Sequence, residues 1–538
     1  MTMMLRRTWQ CKNRLLLRAQ CRQLFSVKDS KDKNEVGSSE GGLSAEEYTQ
    51  FRKDKLSHIQ NWYPHRFEVS HSVKSILDTF GHLKPSESDI EQRVSIAGRI
   101  SKIRNAGRRL VFLDVYHLNA KMQVKIQEDT FQGDMNDQIR VLRRGDIVGI
   151  SGYPGRTQAG ELSVLAQKVE LLAPCLHLMP NDKVELENVD KRFRRRYVDF
   201  LGDRGKMEVF KVRSQIIKRI RSFLDERDFL EVETPVLSSK VGGASAEPFK
   251  THHNDLGIDM FMRIAPELYL KQLVIAGFDR VYEIGKQFRN EGVDSTHNPE
   301  FTTCEFYQAY ADYKDLMSLT GTLVRKIVTE HFDEELKVPY MMKGRPIILD
   351  FKAKFNRYDY FGSIEAALNQ SLPSPEEIHQ DHESTRKVLK NLCHQNGIDS
   401  SRARSSANLL DKLFGHFVEP ELAQPTFILD HPQALSPLAK PHQSKVGVAE
   451  RFEFYIAGQE IANAYTELND PDTQRRYFQN QSQDEDTLVD EDYVQALEFG
   501  LPPTGGWGLG IDRLTMILTN QTRIKEVIFF PTLRPIKK

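Results

Sequence analysis

The chain is poor in cysteine: among 538 residues there are only 5, namely Cys11, Cys21, Cys175, Cys304 and Cys393. None forms a C-x-x-C pair and their scatter matches no disulfide framework, which excludes a cysteine-built zinc site and suits a reducing compartment. No apolar run approaches the roughly 20 residues that span a bilayer, so no membrane partner is expected. Net charge is missing too, since 75 Lys plus Arg balance 75 Asp plus Glu. That excludes a protein coated in positive potential, and any nucleic-acid contact must come from local patches. A further absence is local. Residues 1–28 hold no acid while carrying Arg6, Arg7, Lys12, Arg14, Arg18, Arg22 and Lys28. An arginine-rich, acid-poor amphipathic segment, with an apolar run (Leu15 to Leu17) too short for a secretory signal, has the composition of a mitochondrial transit peptide. The alternative is a disordered basic arm that binds RNA electrostatically. The expected compartment is the mitochondrial matrix, with a cytosolic pool open through an alternative transcript.

The length exceeds one ordinary core, so two folded domains with appendages are expected. Residues 29–90 read as a polar Gly/Ser-rich linker passing into a helical extension. Between 91 and 175, short alternating runs such as "RVSIAGRI", "RLVFLDVYH", "MQVKIQ" and "GDIVGISGYPG" are punctuated by Gly and Pro, which predicts a small closed β-barrel. It carries a basic hairpin, Arg99, Lys102, Arg104, Arg108 and Arg109, with Phe112 just beyond. Cations beside an aromatic that can stack a base equip an OB-fold to bind single-stranded nucleic acid, although Phe112 also fits a core position. Residues 176–206 read as a hinge whose basic run, Lys191, Arg192, Arg194, Arg195 and Arg196, is part solvated surface and part phosphate-facing seam.

From 207 to 538 the pattern changes period. Ile216, Ile220, Phe223 and Leu224 fall on one helical stripe before "FLEVETPVL" turns extended. Residues 362–425 read as a helical insertion, and 484–492 as a solvated acidic loop. The stretch "QFRNEGVDSTHNPEFTTCEFYQAY", 287–310, packs Arg289, Glu291, His297, Glu300 and Glu305 among aromatics. Burying so many charges is costly unless a charged ligand docks against them. Strand alternation puts Phe301, Thr303, Glu305 and Tyr307 on one face, with Arg289 and Glu291 expected on the preceding strand. "RFEFYIAGQEIANAYTELNDP" adds Glu453, Glu460, Asn463, Tyr465 and Glu467. "GGWGLGIDRL" adds a glycine-rich approach and Arg513 at a helix start, where the dipole favours phosphate.

These segments carry a resemblance. "FRNEG" with "HNPEFTTCEFY" is similar to motif 2, and "GLGIDRL" to motif 3, of the class II aminoacyl-tRNA synthetases. The helix before "LEVETPVL" is similar to motif 1, the dimer-forming element of that family. With an N-terminal OB-fold the chain resembles the subgroup that activates lysine, aspartate or asparagine. It is most similar to the lysyl-tRNA synthetases through "RIAPELYLK", "DHPQALSPLAK", "EIANAYTELNDP" and "LEFGLPPTGGWG". The resemblance implies an α+β fold, an OB-fold barrel followed by a catalytic domain on an antiparallel sheet, acting as a homodimer on ATP, lysine and tRNA(Lys). It also implies roles. Arg289 and Arg513 would act on the ATP phosphates. Asn290, Glu291, His297, Asn298, Phe301, Glu460, Gly510, Ile511 and Asp512 would line the nucleotide. Glu453 and Glu460 would bind Mg²⁺. Gly243, Glu267, Glu305, Tyr307, Asn463, Tyr465 and Glu467 would hold lysine, and Arg99, Phe112, Gln123 and Glu161 the anticodon. An aspartate enzyme would need cations where this chain offers Glu467 and Tyr307. A non-catalytic RNA-binding paralogue would not need Arg289, Glu453, Glu460 and Arg513 together, and a ligase that attaches lysine to a protein would lack the barrel.

Overall fold

The computed structural model describes residues 43–535, except 60, 119, 180–188, 241, 245, 333–334 and 486–489. The presequence expected at 1–28 and the first part of the linker lie outside the described residues. The chain divides into two compact units at Gly205 and Lys206.

In the N-terminal unit, β1 (Val94–Asn105), β2 (Leu110–His117), β3 (Ala120–Gln127), β4 (Ile147–Arg156) and β5 (Leu162–Ala173) close into a barrel in the order β1-β2-β3-β5-β4. Alternation drives closure: Val94, Ile96 and Ile100 point inward with Val111, Leu113, Val115, Met122, Val124, Ile126, Val148, Ile150 and Val164. A bulge at Ser151/Gly152 bends β4, and a Cβ at Gly152 would overlap the Leu165 carbonyl. The helix Ala45–Leu56 begins with a capping box between Ser44 and Glu47. It is anchored by Arg52, fully buried and paired with Asp146 at 2.8 Å. Leu56 and, from the helix Val73–Thr79, Val73 and Ile76 complete this core.

The stretch expected to be a basic hinge is largely helical, Val189–Arg194 and Arg196–Gly202. Arg192 and Arg196 both pair with Asp199, and Arg194 pairs with Asp190. Arg196 is only 1% exposed. Arg192, Arg194 and Arg196 are thus paired within the stretch, while Lys191 and Arg195 are exposed.

The second unit holds β6 (Leu230–Glu231), β7 (Leu237–Ser238), β8 (Lys250–His253), β9 (Ile258–Met262), β10 (Arg280–Phe288), β11 (Glu300–Ala309), β12 (Lys337–Met342) and β13 (Arg345–Asp350), then β14 (Asn356–Asp359), β15 (Thr426–Leu429), β16 (Arg451–Ile456), β17 (Gln459–Thr466) and β18 (Thr504–Gly510). Eight of these form one sheet, β14-β15-β16-β17-β18-β11-β10-β6. Its centre is antiparallel as expected, but both edge pairs, β14/β15 and β6/β10, are parallel, so the sheet is mixed. One sheet face is covered by the helices Lys206–Asp225, Tyr313–His331 and Ile511–Leu518. Phe306, Phe452, Phe454, Trp507 and Leu509 pack there against Ile216, Ile220, Phe223 and Leu224. A parallel pair cannot be joined by a tight turn. The insertion supplies the β14-to-β15 crossover as helices Tyr360–Leu368, Pro375–Gln380, Glu383–Gln395 and Ser406–Phe417, with a core of their own around Leu389, Leu409 and Leu413.

The acidic stretch 484–492 is not one loop. Asp484 and Glu485 end the helix Pro471–Glu485, and Asp490 caps the helix Glu491–Glu498 by accepting from Tyr493 N at 3.2 Å. Asp490, Glu491 and Asp492 stand at that helix N-terminus, where negative charge complements the dipole.

Candidate active site

The opposite sheet face carries the chemistry, one rung at a time. Register aligns Glu453, Asn463, Gly508, Glu305 and Glu283 side by side across β16, β17, β18, β11 and β10. On the next site-facing rung, Arg451, Tyr465, Gly506 and Tyr307 align. Alternation separates the two faces of β18: Trp507 and Leu509 enter the core, while Gly506, Gly508 and Gly510 face the site.

Glu267, in the first turn of the helix Glu267–Ile275, meets this face. Its Oε1 accepts from Tyr465 Oη and from Lys271 Nζ, each at 2.6 Å. Lys271 also forms an ion pair with Glu467, and neither Lys271 nor the Glu467 carboxylate has side-chain exposure. Glu467 Oε1 is buried without a hydrogen-bond partner. Burial, then Glu267, pushes Glu305 up to about 8. Burial likewise drives Tyr307 and Tyr465 well above the usual phenol range, with Glu267 adding to it. Gly243, at a positive φ of 87°, stands beside Glu267; a Cβ there would be 3.3 Å from Glu267 Cβ. The structure thus gathers Gly243, Glu267, Glu305, Tyr307, Asn463, Tyr465 and Glu467 into one acidic pocket.

Next to it lies the candidate phosphate site. Strand β10 ends at Phe288, so Arg289 and Glu291 leave the strand instead of riding on it. Arg289 N still donates to Pro299 O at 2.9 Å, and its guanidinium lies over Phe301 at 5.1 Å. Arg289 Nε is buried with no partner, an orphaned donor at the place where an anion is expected. Asn290 and Glu291 are exposed. Asn298 is buried and donates to Glu300 O at 2.7 Å, which shapes the turn back into β11. His297 stands between Asp294 Oδ2 at 2.8 Å and Arg513 Nη2 at 3.0 Å. Asp294 is held at about 2: burial opposes the shift, but Thr296 and His297 outweigh it by hydrogen bonding. Arg513, in the first turn of the helix Ile511–Leu518, donates to Glu460 O at 2.9 Å.

Two expected nucleotide residues point elsewhere. Ile511 is fully buried in the core, and Asp512 is spent on Arg213 Nη1 at 2.7 Å and Thr302 N at 2.6 Å. Their place in the motif is structural: Asp512 ties motif helix, motif strand and the helix Lys206–Asp225 together, while Gly510 keeps the site-facing end of β18 bare.

Glu453 and Glu460 flank the short turn between β16 and β17. Glu453 accepts from Arg451 Nη2 at 2.6 Å and Tyr455 Oη at 2.7 Å. Burial raises Glu460, and Glu453 adds to the shift. Burial and Glu460 push Glu419, at the end of the insertion, to about 7. Crowded carboxylates of this kind fit a hard cation. No cluster of three or more His, Cys, Asp or Glu able to hold a metal exists among the described residues. Sequence reasoning missed Arg451, which reaches Glu453, Asn463 Oδ1 (3.0 Å) and Leu435 O (2.9 Å), and Lys271. Lys271 is fully buried and Arg451 largely so, a signal visible only after folding.

On the barrel, Phe112 lies on the outer face, partly exposed, with Arg104 over its ring at 5.8 Å, and is not core. Gln123 donates to Glu161 Oε2 at 2.8 Å and accepts from Ser163 Oγ at 2.8 Å, one rung from Phe112's partner Lys125. Arg99 sits at the Tyr116 rung and donates to Gly145 O at 2.6 Å.

Comparisons with known proteins agree with this geometry. The family of class II tRNA synthetases (D, K and N) matches residues 188–534, and the OB-fold nucleic acid binding domain matches 94–172. The chain is 46% identical over 517 residues to a "Probable lysine--tRNA ligase, cytoplasmic" of Encephalitozoon cuniculi (strain GB-M1), covering 94% of this chain and 99% of that one. It is 44% identical over 515 residues to "Lysine--tRNA ligase cla4" of Cladosporium cladosporioides, covering 93% and 86%. Against the "Lysine--tRNA ligase" of Magnetococcus marinus (strain ATCC BAA-1437 / JCM 17883 / MC-1) it is 40% identical over 494 residues, covering 90% and 96%. With matches spanning both units and most of the chain, the protein belongs to the class II tRNA synthetases, in the family of the lysine--tRNA ligases.

Proposed function

We propose that the family's reaction, ATP-driven attachment of lysine to tRNA, is carried out here by the side chains gathered on the sheet face opposite the helices Lys206–Asp225, Tyr313–His331 and Ile511–Leu518. Lysine is fixed by its two ammonium groups, one against Glu267 and Glu305, the other against Glu467 and Tyr307, with Asn463 and Arg289 directed to its carboxylate. Arg289 and Arg513 grip the phosphates of ATP with planar guanidinium forks, Phe301 offers a stacking face for adenine, and His297 steadies Arg513. The lysine carboxylate attacks the α-phosphate in line and expels pyrophosphate. The adenylate then passes lysine to a terminal ribose hydroxyl of tRNA, releasing AMP. No protein nucleophile is needed: positioning and charge neutralisation supply the rate. Glu453 and Glu460 would hold Mg²⁺, which neutralises phosphate charge when bound.

The observation that carries this reading is the carboxylate trio Glu267, Glu305 and Glu467 in one pocket, with Glu467 Oε1 left without a partner. A substrate aspartate would bring a second carboxylate against it, which is unfavourable. Lysine-dependent ATP–pyrophosphate exchange, set beside aspartate and asparagine, tests it. Exchange with aspartate and not with lysine would overturn the assignment.

Three finer points belong to the same proposal. The outer barrel face, with Phe112, Gln123, Glu161 and Arg99, binds the anticodon loop of tRNA(Lys). Two copies pair through the helix Lys206–Asp225 and the segment after it, where Leu230, Val236 and Leu237 are exposed. Residues 1–28, basic and free of acid, direct the chain to the mitochondrial matrix.

A further inference from the structure

The pocket for lysine contains a lysine of its own. Lys271 has no exposure, and its ammonium lies between Glu267 and Glu467, 5.7 Å from the ring of Tyr465 and 5.8 Å from that of Tyr493. It belongs to neither recognised motif strand; it stands one helical turn after Glu267, on the same face of the helix. We infer that Lys271 is a positioning and specificity-determining residue, a fixed cation that sets the pocket's charge to match a ligand of net charge +1. The inference rests on the reading of Glu267, Glu305 and Glu467 as the substrate's carboxylates.

The charge count supports it. With every group ionised, the state that a bound ammonium favours, three carboxylates, Glu267, Glu305 and Glu467, face two fixed cations, Lys271 and Arg289, leaving one negative charge for the ligand to meet. Lysine brings two ammonium groups and one carboxylate and closes the count at zero. Arg263 and Arg451, also nearby, are each cancelled by a carboxylate outside the trio, Glu283 at 2.5 Å and Glu453 at 2.6 Å. Without Lys271 the pocket would hold two uncompensated negative charges and suit a dication better than an amino acid. Burial alone would strip the proton from Lys271, but Glu267 and Glu467 hold its ammonium raised instead, so it stays charged. Geometry adds a second effect. Lys271 and Tyr465 both engage Oε1 of Glu267, and Lys271 approaches Oε2 of Glu467. Lys271 thereby engages one oxygen of each carboxylate, and Glu467 Oε1 is left buried without a hydrogen-bond partner.

The test uses full-length enzyme and ATP–pyrophosphate exchange, with lysine as substrate and 1,5-diaminopentane, a dication without a carboxylate, as competitor. Lys271→Met should raise the KM for lysine about tenfold or more, leave the KM for ATP within about twofold, and lower the diaminopentane Ki relative to the lysine KM by about tenfold. Lys271→Gln, which keeps a hydrogen-bond donor, takes the same measurements should the methionine variant fail to fold. An unchanged lysine KM overturns the inference, and so does an equal weakening of lysine and diaminopentane, the mark of mere structural damage. Glu467→Gln separates the two readings. If it leaves the lysine KM at the wild-type value, the pocket assignment fails. If it raises that KM while the Lys271 variants do not, only the role of Lys271 fails.

Discussion

Gly506 lies directly under the Glu467 carboxylate: a Cβ built on it would overlap Glu467 Oε1 and come within 2.6 Å of the Tyr307 ring. The backbone there is ordinary strand, so the glycine is required by space and not by conformation. Gly506→Ala should force both side chains off their positions, cost about 1–3 kcal/mol as overpacking does, and raise the KM for lysine much more than that for ATP. Thermal unfolding and exchange kinetics check it; a stable variant with wild-type lysine kinetics would show that the pocket floor is elsewhere.

Arg289 presents a buried, unpartnered Nε beside Phe301. Removing it leaves no orphan behind, so folding should be little affected while adenylate formation collapses. Arg289→Ala should lose about 10²-fold or more in exchange rate, the size expected for one preorganised donor on developing charge. Retention of normal exchange would remove Arg289 from the reaction.

Glu305 titrates near 8 in the ligand-free pocket, against an ordinary value of 4.5. Between those values the folded, empty protein holds a proton that the unfolded chain has lost, so this group's contribution to stability falls as pH rises toward 8. An ammonium bound there favours the carboxylate, so lysine binding should release a proton below that pH. Lysine affinity should therefore strengthen from pH 6.5 to about 8 and level off above, the value at which the group is half-ionised. Calorimetry in buffers of differing ionisation enthalpy measures the proton, and Glu305→Gln should abolish the release.

Phe112 stands on the outer barrel face, outside its hydrophobic core. A stacked base contributes about 1–3 kcal/mol, so Phe112→Ala should raise the KM for tRNA about tenfold, with lysine-dependent exchange and barrel stability unchanged. Aminoacylation of tRNA bearing UUU, compared with a mutated central base, gives the readout. Undiminished discrimination would mean that Phe112 does not touch the anticodon.

Deleting residues 1–28 should leave aminoacylation in vitro intact and move a tagged chain from mitochondria to the cytosol. Import of the truncated form would sink the presequence assignment.

The barrel, the motif strands and the helical insertion were legible because each rests on a local pattern: period-two alternation, a period-3.6 stripe, or a spaced run of chemistry-bearing residues. What stayed hidden depends on long-range register. Lys271 gives no signal in "ELYLK", because Glu467, just past the end of β17, meets it only in the fold. Asp512 reads as a nucleotide contact until Arg213 is found holding it. The basic run at 191–196 reads as a phosphate seam because its partners, Asp190 and Asp199, are fixed only by helix geometry.

The division of β18 between its faces separates two problems that enzymes commonly entangle. Trp507 and Leu509 hold the sheet to its helices from below, while the reactive rungs read from above through neighbours on β11 and β17. A strand shifted by one residue would exchange the two sets at once, so the fold polices its own register. On the reading proposed above, retargeting the pocket to another amino acid means rewriting Glu305, Tyr307, Asn463 and Glu467 together with Lys271 beside them. The side of the sheet that keeps the molecule folded need not be disturbed.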